Sequence, residues 1–251
     1  INSGNANACA PFGMENARRE GMAAARALDV AEENVVVAST GIIGQTLPVE
    51  VIETHAPEME MKYDNSLVAA EAIMTTDTKV KTFAVEFEAG GQVCHMGGIC
   101  KGSGMIHPNM GTMLCFITTD CAISSEMMQK ALLFHVAKTF NRVTVDGDTS
   151  TNDMCVVMAN GMAGNQEITE ENEAYEAYGE ALHAVMEDLA RKIAGDGEGA
   201  SRLVTCTVTG AVDEGAAETL AKSIASSSLT KAVCSVPWDT REHPLIRRRF
   251  R

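Results

Sequence analysis

The sequence has few basic residues and no long apolar run. Its formal net charge at pH 7 is −14. This argues against a general nucleic-acid-binding protein, because neutralising phosphates requires clustered Lys and Arg. No uninterrupted apolar stretch approaches the ~20 residues that a membrane-spanning helix needs. We therefore expect partners that are neither nucleic acids nor membranes.

The cysteines form no C-x-x-C pair, although there are eight of them. Nothing therefore indicates a zinc ribbon or a thioredoxin-like redox site. A chain of 251 residues is long enough to bury a core without disulfides. Most of the cysteines lie in apolar runs such as "TMLCF" and "DMCVVM", which favours buried, reduced thiols. These features predict a reducing, cytoplasmic setting.

The common nucleotide-binding, hydrolase and metal-binding motifs are missing too. In "GGICKGSG", Lys101 precedes Gly102 and Ser103, which is the wrong order for a phosphate loop, and no G-x-S-x-G elbow surrounds the serine. The segment "DGDTSTND" (146–153) begins like a calcium loop, but the loop lacks the glycine at its sixth position and has Val157 where the bidentate glutamate belongs. The six histidines show no metal-ligand spacing. No metal or organic cofactor is predicted.

The charge changes sign near the end of the sequence. Residues 236–251 contain five Arg against Asp239 and Glu242, a local net charge of +3 that leaves −17 on residues 1–235. This composition break separates a basic tail from the preceding sequence. Whether the tail binds a polyanion is left open.

Hydrophobic spacing predicts strands and helices mixed throughout the chain. Two alternating segments around Gly90-Gly91 indicate a hairpin, and Ser124 or Ser125 and Thr169 are the expected caps of two helices. The predicted helices cover 14–28, 66–74, 124–140, 169–195 and 213–227. The predicted strands cover 34–40, 81–88, 92–99, 112–119, 142–145, 153–160, 202–210 and 229–236. This mixture without a repeat indicates a layered α/β or α+β fold.

Four polar segments that contain glycine or threonine lie at the edges of apolar elements. Each alone is typical of a turn or a linker. Together they suggest a site built from strand ends and loops. They are "STGIIG" (39–44), "MTTDT" (74–78), "KGSGMIHPNMGTML" (101–114) and "DGEGA" (196–200).

These segments belong to a longer series of unusual blocks. In chain order the blocks are "NSGNANAC", "STGIIG", "EAIMTTDT", "GGICKGSGMIHPNMGTML", "FNRVTVDGDTSTND", "ANGMAGN" and "DGEGA". The series closely resembles the ornithine acetyltransferase (glutamate N-acetyltransferase) family of arginine biosynthesis, from the first residue to about Cys234. The resemblance implies an α/β fold with layered mixed sheets and helices on the outside. It also implies an enzyme that moves acetyl from N-acetylornithine to glutamate.

Members of this family cut themselves just before the threonine of a "P-N-M-A-T-M-L" motif, which here reads "PNMGTML". The resemblance therefore implies cleavage between Gly111 and Thr112, into an α-chain part (1–111) and a β-chain part (112–235). It also makes Thr112 the nucleophile. Once freed, the α-amine of Thr112, with a reference pKa of roughly 7.7–8.0, is a base within the same residue. A small residue such as Gly111 eases attack on the preceding carbonyl.

The resemblance assigns the other site residues as well. The family's oxyanion-stabilising pair falls on Thr40 and Gly41. Its substrate contacts fall on Thr75, Lys101, Thr112 and Glu198. From charge alone, we expect Lys101 to pair with a substrate carboxylate and Glu198 with the side-chain amine of ornithine.

The resemblance also implies partners and leaves alternatives. The two cleaved chains are expected to stay together and to form an oligomer of such heterodimers. Acetyl-CoA as an alternative acetyl donor is left open. Relatives extend beyond both ends of the matching region and residues 236–251 match nothing in them, so we expect parts of the family's chain to be missing. A catalytically incompetent fragment and a self-processing, aminopeptidase-like amidohydrolase that uses water as acceptor remain the alternatives.

Overall fold

A computed structural model describes residues 1–106 and 113–235. Strands and helices are mixed along the chain, as the hydrophobic spacing predicts. The strands are β1 (Asn2–Asn5), β2 (Ser39–Ile42), β3 (Lys81–Ala89), β4 (Gln92–Lys101), β5 (Leu114–Thr119) and β6 (Met154–Ala159). The helices are α1 (Gly13–Leu28), α2 (Val49–His55), α3 (Ser66–Ala72), α4 (Ser125–Lys138), α5 (Glu173–Gly195), α6 (Glu214–Ala225) and α7 (Ser228–Ser235).

The larger sheet has the order β3-β4-β5-β6. The first three strands are antiparallel neighbours, whereas β5 and β6 run parallel. The predicted hairpin is confirmed: Ala89 pairs with Gln92 across the Gly90-Gly91 turn. Both glycines have positive φ, 58° and 76°, as a two-residue hairpin turn of the favoured twist requires.

Helix α5 crosses one face of this sheet and contributes much of the core. The contact is close at Gly98 of β4, where an added Cβ would lie 2.9 Å from a methyl group of Leu189. Helix α4 packs on α5, and its cap is Ser124, whose side chain accepts a hydrogen bond from Met127 N. The fully buried core side chains from these elements include Met96, Ile117, Tyr178, Leu182, Val185, Met186 and Leu189.

The smaller sheet consists of β1 and β2, which run parallel. The predicted start of the strand at 34–40 is wrong: the observed strand begins only at Ser39 and continues to Ile42. The reason is that the pairing with β1 begins at the contact between Asn2 and Ser39. Helix α1 packs against α2 beside this sheet.

Several predicted element boundaries and types are wrong. Helix α5 begins at Glu173 rather than near Thr169, because the Asn172 side chain caps it by accepting from Tyr175 N. Residues 142–145 and 202–210 are not strands, and in the described part of the chain no strand pairs with them. Of the predicted strand at 229–236, the described residues 229–235 are instead part of helix α7, in which Leu229, Ala232 and Val233 have helical spacing.

The predicted α/β class is confirmed by the mixed sheet and the helices packed on it. All eight cysteines lie in the described residues and are free thiols. Burial raises the pKa of the Cys121 thiol to about 12. Across 1–106 and 113–235, no helix has both the length and the apolar character needed to cross a bilayer.

Candidate active site

Three of the predicted site residues meet at the Lys101 side chain. Lys101 is the last residue of β4, and only 2% of it is exposed. Its Nζ donates to Thr75 Oγ1 at 2.8 Å and to Thr40 Oγ1 at 3.1 Å. Thr75 lies at the surface, so this buried ammonium is close to solvent on one side. In the described part of the chain its third N–H has no acceptor.

The groups around Lys101 have opposing effects on its pKa. Burial is the largest influence and lowers the pKa of Lys101, and the nearby Lys81 ammonium lowers it further. The carboxylates of Asp77, Glu198 and Asp153 oppose this effect, and the result is a lowered pKa. The lysine is thus a cation with no direct carboxylate partner among the described residues, and acidic groups surround it at longer range.

A buried ion-pair network lies behind Lys101. Lys81 Nζ donates to Asp77 Oδ1 and to Asp196 Oδ2, both at 2.6 Å. Asp77 also accepts from Gly102 N at 2.7 Å and from Thr75 N at 3.2 Å. This carboxylate therefore holds the backbone on both sides of the Lys101–Thr75 contact.

Asp196 completes the network from the end of α5. Its carboxylate accepts from Thr78 N at 2.9 Å and from the Thr78 hydroxyl. Burial raises its pKa, but the hydrogen bonds from Lys81 and Thr78 outweigh this effect and hold the pKa at about 2. The network joins the segments 74–78, 101–106 and 196–200, which lie far apart in the sequence.

Glu198 lies against the glycine-rich loop that follows Lys101. Its backbone N donates to Ser103 O at 2.7 Å. A Cβ at Gly104 would lie 2.7 Å from Glu198 Oε1, so only glycine fits there without displacing the carboxylate. Glu198 is exposed, and its negative charge acts to raise the pKa of Lys101, as described above.

The backbone conformation and the close packing at position 41 require a glycine. Its φ is +130°, and an added Cβ would lie 2.3 Å from the carbonyl carbon of Gly4. The parallel pairing of β1 with β2 leaves no room for a side chain. Its neighbour Thr40 is 2% exposed and directs its hydroxyl to Lys101.

The two predicted cleavage residues, Gly111 and Thr112, lie outside the described residues. The chain resumes at Met113, just before β5. Leu114 pairs with Lys101 on one side and with Met154 on the other. The chain that follows Thr112 therefore enters the sheet at the same end at which Lys101 leaves it.

Sequence reasoning missed two polar residues beside this end of the sheet, Asn152 and Asp153. Asp153 Oδ1 accepts from Met113 N at 3.0 Å, and Asn152 Nδ2 donates to Ser39 Oγ at 3.1 Å. A signal was present in the sequence, since both residues come directly before strand β6. In the sequence they end the block "FNRVTVDGDTSTND", to which the resemblance assigns no site residue.

Two further observations describe the surroundings of the site. A cavity of about 770 Å³ lies between α5, the segment 198–208 and helices α6 and α7. Among the predicted site residues that the structure describes, Glu198 is the only one that lines it. Within the described ranges, no group of three or more His, Cys, Asp or Glu residues is arranged to hold a metal ion.

The fold and the site together define an α/β protein that gathers a buried lysine, threonine hydroxyls and an acidic loop at one end of its main sheet. The sequence model of the ArgJ family matches residues 1–236. The chain belongs to the ArgJ family, and the resemblance drawn from its sequence blocks is confirmed.

The relatives that it matches carry the name "Arginine biosynthesis bifunctional protein ArgJ". The protein of Listeria monocytogenes serotype 4b is 50% identical over 232 residues, which is 92% of this chain and 58% of the relative. The protein of Lactococcus lactis is 48% identical over 219 residues, which is 87% of this chain and 55% of the relative. This chain thus spans somewhat more than half the length of these relatives.

A solved structure of the same name, from Bacillus halodurans, is also similar to this chain. The two are 48% identical, with a TM-score of 0.44, and the match covers 45% of this chain and 53% of the other.

Proposed function

We propose that this chain carries the acyl-transfer site of an ornithine acetyltransferase, which moves acetyl from N-acetylornithine to glutamate. The observation that supports this most is the buried Lys101 ammonium, bonded to Thr40 and Thr75 at the end of the sheet where the chain resumes after Thr112. Membership of the ArgJ family, in which the similar relatives are named arginine biosynthesis bifunctional proteins, also supports the proposal.

The proposed reaction begins with self-cleavage. The Thr112 hydroxyl oxygen attacks the carbonyl carbon of Gly111, the peptide C–N bond breaks, and the proton passes to the new amine. Water then hydrolyses the ester and leaves Thr112 as an N-terminal residue. Its α-amine now takes the hydroxyl proton when the oxygen attacks a substrate.

Acetyl transfer then follows in two halves. The Thr112 oxygen attacks the acetyl carbonyl of N-acetylornithine, the amide C–N bond breaks, and ornithine leaves with the proton. The amine of glutamate attacks the resulting ester, the C–O bond breaks, and Thr112 regains its hydroxyl proton. Donors from Thr40 and Gly41 stabilise the oxyanion in each half, a contribution typically about 100- to 1,000-fold in rate.

The charges beside the site suit amino-acid substrates. The Lys101 ammonium binds a substrate carboxylate, and the exposed Glu198 carboxylate binds the side-chain amine of ornithine. These opposite charges suit N-acetylornithine, which has a carboxylate and a side-chain amine. A cytoplasmic location and an oligomer of cleaved heterodimers remain predictions.

The sheet gives a reason for the cleaved pieces to stay together. Strand β4 lies before the proposed cut and β5 after it, and the two pair from Met96–Thr119 to Lys101–Leu114. Separating the pieces would expose buried residues on both strands, among them Cys100 and Cys115. We expect 1–111 and 112–251 to co-purify under native conditions.

The test is to incubate the purified chain with N-acetylornithine and to analyse the peptide that begins at Thr112 by mass spectrometry. We expect an acetyl ester on Thr112, whose loss glutamate accelerates while N-acetylglutamate forms. Thr118→Ala, which changes an exposed threonine on β5, is the control and should acetylate normally.

Other outcomes select the alternatives. An ester lost to water at the same rate with and without glutamate indicates an amidohydrolase. No ester on a folded, cleaved chain indicates an incompetent fragment. Acetyl-CoA in place of N-acetylornithine tests the alternative donor.

A further inference from the structure

Two consecutive residues connect the smaller sheet with the start of β5. Asn152 Nδ2 donates to Ser39 Oγ at 3.1 Å and also to Ala6 O. Asp153 Oδ1 accepts from Met113 N at 3.0 Å. The loop before β6 is therefore hydrogen-bonded both to β2 and to the residue that precedes β5.

Both contacts fall beside residues of the proposed reaction. Ser39 immediately precedes Thr40, and Met113 immediately follows Thr112. The Met113 nitrogen that Asp153 holds is covalently bonded to the carbonyl carbon of Thr112. A displacement of the Asp153 carboxylate therefore shifts the peptide on the C-terminal side of the proposed nucleophile.

Both polar groups of the Met113 backbone form hydrogen bonds. Its N–H goes to Asp153, and its carbonyl oxygen accepts from Met154 N at 3.0 Å. The Met113 side chain is buried, so water is poorly placed to replace the carboxylate. Without Asp153, the N–H would be a buried donor without its partner.

We propose that Asp153 is a positioning residue for the acyl chemistry at Thr112: it fixes the Met113 amide, while Asn152 fixes the strand that carries Thr40. This inference rests on the proposed function, since it assigns a role within the same site. It adds a residue pair that acts through its neighbours and touches no substrate.

The pKa of Asp153 provides a second way to detect its contact with Met113. Burial is the largest influence and raises the pKa of Asp153 to about 6, while the Met113 amide, Ser150 and the Lys101 ammonium act in the opposite direction. Lys101 is the charged group that acts on it among the described residues. The carboxyl group therefore changes its charge in a range that is accessible to solution measurements.

The first test compares self-cleavage in Asp153→Ala, Asp153→Asn and the unchanged chain, by intact mass against time after refolding. We expect Asp153→Ala to slow cleavage by about 10- to 100-fold, since small misplacements of reacting groups have effects of this size. Asp153→Asn should retain most of the rate, because its amide oxygen still accepts from Met113 N. Asp148→Asn, an exposed residue of the same loop, should match the unchanged chain.

The second test is independent of cleavage and uses the NMR signal of the Met113 amide. We expect its shift to titrate with a midpoint near pH 6 in the unchanged chain and to lose this titration in Asp153→Asn. Asp153→Ala cleaving at the unchanged rate, or a Met113 amide that is insensitive to Asp153→Asn, would overturn the inference. An unchanged chain that stays uncut while its Met113 amide titrates would instead overturn the proposed self-cleavage.

Discussion

Lys101 Nζ lies 2.8 Å from Thr75 Oγ1, although 26 residues separate the two along the chain. The contact joins the end of β4 to the loop after α3. A hydroxyl accepts the hydrogen bond without bringing a negative charge, so the Lys101 amine lies next to a surface residue with no direct carboxylate partner among the described residues. An amine in this position is suited to the carboxylate contact that we propose for it.

The first prediction concerns Lys101. Lys101→Met keeps most of the buried side-chain volume but removes the ammonium. We expect glutamate to bind about 10- to 100-fold more weakly, because hydrogen bonds to charged groups contribute ~1.5–3 kcal/mol. The unfolding free energy should not fall, since the buried ammonium is itself unfavourable. Initial rates of acetyl transfer at varied glutamate, with urea unfolding in parallel, measure both effects.

The matched control for this experiment is Lys79→Met, which removes an exposed lysine from the neighbouring loop. It should leave the glutamate dependence unchanged. Equal glutamate dependence in Lys101→Met and the unchanged chain would show that Lys101 does not contact this substrate.

The second prediction concerns Gly41. We expect Gly41→Ala to lower the unfolding free energy by about 1–3 kcal/mol through backbone strain and by about 1–3 kcal/mol more through the clash with Gly4. Gly44→Ala is the control: its φ is also positive, at +80°, but nothing lies within 4 Å of an added Cβ. Urea unfolding compares the two. If both variants lose the same stability, the close approach of β1 is not what requires a glycine at position 41.

The third prediction concerns the ion pairs of Lys81. Lys81→Met leaves the carboxylates of Asp77 and Asp196 buried without their cation. We expect a loss of roughly 3–5 kcal/mol in unfolding free energy, as for other buried ion pairs that lose one partner. Lys130→Met removes an exposed lysine that pairs with Glu171, and its effect should lie within the error of the measurement. Similar stabilities of the two variants would contradict the role assigned to the network.

Local sequence signals predicted the elements that depend on local chemistry. The turn at Gly90-Gly91 requires two residues with positive φ, and the cap at Ser124 requires a side-chain acceptor, so each can be read from a few letters. The segment 202–210 has the composition of a strand but in the described residues no strand pairs with it. Composition alone does not show whether such a partner exists.

The site was also predictable only in part, because some of its contacts join residues that are distant in the sequence. The family resemblance named Thr40, Thr75 and Lys101, and the structure brings these three side chains together. It did not indicate that Asp153 holds Met113, a contact between residues 40 positions apart. Hydrogen bonds between distant loops leave no spacing pattern in a single sequence.

The fourth prediction concerns acid stability. Burial, and next the neighbouring His183, lower the pKa of His135 to about 4 from its ordinary 6.5. The folded state therefore binds this proton less readily than the unfolded chain, so stability is present above pH 6.5 and is lost as the pH falls towards 4. We expect His135→Gln to lose less stability across this window, as measured by urea unfolding at several pH values. Parallel stability curves for the two proteins would contradict this prediction.

The proposed function depends on self-cleavage at the Gly111–Thr112 peptide bond, with Thr112 as the group that cuts it. Denaturing mass spectrometry of the freshly purified chain, without added protease, tests this most directly. We expect two pieces, 1–111 and 112–251, in the unchanged protein, and one uncut chain in Thr112→Ala. A folded, unchanged protein that stays in one piece, or a Thr112→Ala variant that is cut at the same bond, would contradict it.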